Sequence, residues 1–100
     1  MSKDDIAIEE KVTVDVTYPK MFKVIFLNDN VTPMDLVTHI LVSVFHLEVK
    51  TAEQLTMEIH NKGQVAIGTY SYEVAEQLAL EATSVARANG SPLKIQVVEE

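Results

Sequence analysis

Asn28, Asp29 and Asn30 set an amide, a carboxylate and a second amide in a row, directly after the apolar pair Phe26-Leu27 and just ahead of Pro33. Such a row is rich in hydrogen-bond acceptors and suits holding a cationic, donor-rich group. His60, in "MEIHNKG", offers a further acceptor while its imidazole is neutral. Each feature also has an ordinary reading. Asn and Asp are common turn formers, and a histidine near a helix C-terminus interacts favourably with the dipole and the last carbonyls.

Catalytic chemistry is poorly provided for. Cysteine is absent, which removes thiolate nucleophiles, disulfides and cysteine metal sites together. Ser43, Ser71, Ser84 and Ser91 lie at helical or capping positions, and none sits in a G-x-S-x-G turn. The histidines lack H-E-x-x-H spacing. His39 and His46 read as two turns apart on one helix, where a zinc ion would still need other ligands. The expectation is a protein that is not an enzyme and has no cofactor and no metal.

Totals narrow the class further. A chain of 100 residues with 47% apolar and 23% charged side chains is one globular domain with a modest core, so a site on it should be a shallow surface pocket. The net charge of −7, with only eight Lys and Arg spread along the chain, argues against nucleic acid and for a cationic ligand. No apolar run approaches the roughly 18 residues of a membrane span, and the acidic start "MSKDDIAIEE" lacks a signal-peptide core. A cytoplasmic protein without a membrane partner is expected.

The elements that must carry these groups follow from periodicity. Residues 1–19 read as a flexible N-terminal extension, although Val12, Val14 and Val16 alternate with polar residues as an edge strand does. Residues 20–100 read as the core domain. "MFKVIFL" (21–27) is a strand. Thr32 is the expected N-cap of a helix over 33–46, with Pro33 at its first position and Met34, Val37, Leu41 and Val44 on the inner stripe. Thr51 and Gln54 suggest a capping box opening a second helix, whose inner face holds Leu55 and Ile59 and which stops at Asn61-Lys62-Gly63. "QVAIGTY" (64–70) is a strand. Ser71 caps a third helix with Val74, Leu78, Ala82 and Val85 as its stripe, ending near Asn89-Gly90, and "PLKIQVVEE" closes the chain as a half-exposed strand. The order β-α-α-β-α-β predicts an α+β fold: a three-stranded antiparallel sheet with three helices packed on one face. In that fold the end of the first strand and the end of the second helix can adjoin. Asn28, Asp29 and His60 would then rim a groove lined by Met34, Val37 and Ile59, a receptor for a protein α-amino group beside a large first side chain.

"FLNDNVTPM", "EIHNKG", "GTYSYEVAE" and "ARANGSPLKIQVVEE" resemble the ClpS adaptor family, from about Lys20 to Glu100 and without an apparent gap. The resemblance implies a non-enzymatic adaptor. It would bind N-degrons, proteins whose first residue is Leu, Phe, Tyr or Trp, and deliver them to a ClpA- or ClpC-type AAA+ unfoldase working with ClpP. It implies that Asn28, Asp29, Asn30 and His60 serve the α-amino group, that Thr32 borders the site, that Met34 gates side-chain shape, and that Val37, Leu41, Ile59 and Leu93 form the pocket wall. Glu73 and Glu76 would face the unfoldase. The chain departs from the family pattern at Asn30, where a second Asp is usual, and at Leu78, where many members carry a lysine. The first departure favours weaker or narrower degron binding and keeps open an alternative, a regulator of the unfoldase that barely binds degrons.

Overall fold

A computed structural model describes residues 18–100. The sequence reading of 1–17, including the alternation at Val12, Val14 and Val16, lies outside the described residues. The elements are β1 (Phe22–Leu27), α1 (Met34–Ser43), α2 (Val49–Lys62), β2 (Gln64–Tyr70), α3 (Tyr72–Ala88) and β3 (Lys94–Glu99). They follow the expected β-α-α-β-α-β order in an α+β fold.

β1 is the central strand and pairs antiparallel with β2 on one side and β3 on the other. Its alternation explains this position. Val24 and Phe26 are fully buried, while Lys23, Ile25 and Leu27 point to the opposite face. Opposite Val24 and Ile25 the register with β2 shifts, so that Ile67 has no partner and forms a bulge. The helices close over the Val24 and Phe26 face. The core gathers those two with Val37, Ile40 and Leu41 of α1, Ala52 and Ile59 of α2, the alanines of α3, and Leu93. Phe45 seals one end with its ring edge-on to Phe26, centroids 5.6 Å apart.

Four local expectations are corrected. α1 has Pro33 at its N-cap, which carries no side-chain acceptor, so there is no side-chain cap bond, and the Thr32 hydroxyl is turned to Asp29 and Ser91. α1 also ends at Ser43, and His46 has φ 58°, a left-handed conformation that His adopts more readily than most residues. His39 and His46 therefore do not share a helix. α2 starts at Val49, with Glu48 at its N-cap and no side-chain cap bond, so Thr51 lies inside the first turn and does not form a capping box. In α3, Ser71 does cap, accepting from the Val74 N–H at 3.5 Å. The buried stripe, however, is Ala75, Ala79, Ala82 and Ala86. Val74 is exposed, and Leu78 and Val85 are half-buried. Small side chains let this long helix lie close to the sheet, displacing the bulkier stripe toward its edge.

Candidate functional site

The segment between β1 and α1 is organised by one carboxylate. Asp29 Oδ1 accepts from the N–H groups of Val31 (2.7 Å) and Thr32 (2.6 Å), and Oδ2 accepts from the Thr32 hydroxyl (2.8 Å). Burial pushes the Asp29 carboxyl up, but the Thr32 N–H, the Thr32 O–H and the Val31 N–H together outweigh it and hold the group below its ordinary value. The Thr32 hydroxyl donates its hydrogen bond to Asp29, so the 2.6 Å contact between Thr32 Oγ1 and Ser91 Oγ is donated by Ser91. Ser91 is buried and also accepts from the Leu93 N–H at 3.0 Å. Arg87 donates to the carbonyls of Ser91 and Leu93, both at 2.8 Å. A continuous relay of bonds thus ties the loop to the connection between α3 and β3.

A second tie runs to α2. That helix ends on Gly63 at φ 89°, a left-handed position suited to glycine. The Gly63 carbonyl accepts the Asn28 N–H at 2.8 Å. The start of the Asn28-Asp29-Asn30 run is therefore fixed one turn beyond His60. Asn28, Asn30 and His60 are exposed, and among the described residues their side chains make no hydrogen bond to the protein.

Between α1 and α2 lies a cavity of about 380 Å³, lined by Met34, Asp35, Thr38, Glu53, Thr56 and Met57. Thr56 and Met57 stand one turn before His60 on α2, on the same side of that helix. Met34 lies just past the Asn28–Pro33 loop. Of the residues expected to form the wall, Met34 lines this cavity, while Val37, Leu41, Ile59 and Leu93 belong to the buried core. Thr32 is spent in the relay. The sequence reading missed Asp35, Thr38, Glu53, Thr56 and Met57. The available signal was spacing: Thr38 is one turn after Met34, and Glu53, Thr56 and Met57 share a face with His60.

On α3, Glu73 and Glu76 are exposed, with Glu76 accepting from the Tyr72 hydroxyl at 3.4 Å. Leu78 is half-buried and packs against the core. Among the described residues no helix is long and apolar enough to cross a membrane.

Residues 17–96 match the family model described as the ATP-dependent Clp protease adaptor protein ClpS. The chain is 42% identical over 82 residues to the ClpS adapter of Campylobacter jejuni, covering 82% of this chain and 85% of that one. It is 41% identical over 68 residues to that of Acetivibrio thermocellus, covering 68% and 69%. The fold superposes on Agrobacterium tumefaciens ClpS2 bound to L-phenylalaninamide with a TM-score of 0.81 and 34% identity, covering 83% of this chain and all of that one. This chain belongs to the ClpS family of ATP-dependent Clp protease adaptors.

Proposed function

We propose that this protein is an N-degron adaptor: it captures proteins whose first residue is Leu, Phe, Tyr or Trp and hands them to a Clp AAA+ unfoldase of the ClpA or ClpC type. The observation that carries this reading is the adjacency just described. The α1–α2 cavity is lined by Met34, just past the loop that holds Asn28 and Asn30, and by Thr56 and Met57, one turn before His60, while the Asn28 backbone is tied to Gly63 at the end of α2. The phenylalaninamide held by the Agrobacterium relative carries a free α-amine next to a benzyl side chain, the same pairing of a cation with an apolar group.

In this reading Asn28 and His60 accept hydrogen bonds from the α-ammonium. Asp29 shapes the loop and supplies negative charge, since three hydrogen bonds already occupy its oxygens. Asn30 accepts through its amide. Met34 gates the entrance, and Val37, Leu41, Ile59 and Leu93 back the pocket from the core. Burying one Phe or Leu side chain contributes about 1.5–3 kcal/mol and each bond to a charged group about 1.5–3 kcal/mol. Two or three such bonds plus the side chain reach micromolar affinity after association costs. Glu73 and Glu76 on α3 face solvent as a docking surface for the unfoldase.

The test is a fluorescence titration with a short peptide beginning in Phe, beside its N-acetylated twin. Acetylation removes the charge and two donors, so micromolar binding of the free peptide and at least tenfold weaker binding of the acetylated one are expected. Equal affinities would refute amine recognition. If both bind negligibly while the unfoldase still binds, the protein is a regulator of the unfoldase, a reading that Asn30 favours because its amide lacks the charge of the family's usual acid.

A further inference from the structure

The cavity between α1 and α2 has a polar feature that a purely apolar socket lacks. Thr38 of α1 and Thr56 of α2 both line it, and their Oγ1 atoms are 2.8 Å apart. Thr56 is buried, and its hydroxyl donates to the Ala52 carbonyl one turn back at 2.8 Å. A threonine has a single hydroxyl proton. With that proton committed to Ala52, the bond between the two threonines must be donated by Thr38. Both donors are then used, while the lone pairs of Thr38 Oγ1 have no partner among the described residues. The other polar liners, Asp35 and Glu53, are carboxylates and accept as well. Acceptors therefore line this cavity, and none of these side chains has a free proton to offer.

We infer that the cavity selects a first side chain that is aromatic and ends in a hydrogen-bond donor, tyrosine ahead of phenylalanine and leucine, with Thr38 as the specificity-determining residue. This inference rests on reading the site as a receptor for a chain's first residue. The methionines agree with an aromatic occupant. Met34 and Met57, one on each helix, are 38% and 48% exposed, and thioethers make favourable contacts with ring edges. The volume of about 380 Å³ is near the small end of ligand pockets, enough for one ring. A phenolic proton meets Thr38 Oγ1 and no competing donor. A side chain ending in an acceptor gains nothing there. A lysine or arginine would rely on Asp35 and Glu53, both exposed, where charge pairing contributes little.

The experiment titrates the full chain with free-amine peptides that differ only in their first residue: Phe, Tyr, O-methyltyrosine, 4-aminophenylalanine and Lys. The Tyr peptide should bind tighter than the Phe peptide by about 3- to 10-fold, the range of one neutral hydrogen bond. 4-Aminophenylalanine should keep that gain and O-methyltyrosine should lose it. Thr38→Val should bring Tyr to parity with Phe, whereas Thr38→Ser should retain the preference. Phe binding as tightly as Tyr to the unsubstituted protein, with the free amine still required, would overturn this inference and leave the degron reading intact. Tightest binding of the Lys peptide would overturn it in favour of the two carboxylates. Binding of none of these peptides would overturn both.

Discussion

Asn28 and His60 differ from Asp29 in what their side chains have left to offer. Asp29 accepts three hydrogen bonds within its own loop, whereas the other two are exposed and uncommitted among the described residues. Substitution should separate these roles. Asn28→Ala and His60→Ala should each weaken binding of a Phe-initiated peptide by about 1.5–3 kcal/mol, the value of a bond to a charged group, with the denaturation midpoint little changed. Asp29→Ala should act chiefly on stability, costing about 1–3 kcal/mol in urea denaturation as two backbone donors lose their partner. Because the folded Asp29 carboxyl is held below the ordinary aspartate value, its stabilisation is fully present above that ordinary value and is lost as the pH falls through the lower folded one. Asp29→Asn should flatten that acid limb. Asn30→Asp, restoring a charge near the ammonium, should tighten binding by about 1 kcal/mol at low salt.

Helix ends and turns decide where those side chains stand. Gly63 stops α2 at φ 89°, and its carbonyl accepts a hydrogen bond from the Asn28 N–H. Gly63→Ala should cost about 1–2 kcal/mol through the left-handed backbone and should also loosen the Asn28 tie, seen as faster amide exchange at residue 28. Most of this level was legible in the sequence. The strands over 21–27 and 64–70, the Gly63 stop and the Ser71 cap each follow from one local rule, and each is found. The misses came where a side chain had two uses. Thr32 looked like a helix cap, but its hydroxyl is turned to Asp29 and Ser91. Thr51 and Gln54 matched a capping box that the helix overran by starting at Val49. Val74 fitted a stripe that packing gave to the alanines, because a helix closely covering a sheet favours small side chains on its inner face. The cavity wall was read from apolar residues alone. Val37, Leu41, Ile59 and Leu93 were absorbed by the core, while two threonines, which no hydrophobic pattern marks, line the opening.

At the scale of the molecule, two surfaces lie on different elements. The cavity belongs to α1 and α2, whereas the exposed Glu73 and Glu76 belong to α3. Capture of a degron and docking to an unfoldase should therefore be separable. Glu73→Ala with Glu76→Ala should abolish stimulation of degron-tagged substrate degradation by a reconstituted Clp protease while leaving peptide affinity within about twofold, since rim charges act mainly on their own contact. A parallel loss of peptide affinity would argue against two surfaces. Amine recognition beside the α1–α2 cavity is tested most directly by NMR, titrating the ¹⁵N-labelled chain with a free-amine Phe peptide and following each amide. Shifts should concentrate at residues 28–38 and 53–63, saturate together, and vanish with the acetylated peptide. Shifts centred on the open face of the sheet, or the same shifts with the acetylated peptide, would contradict it.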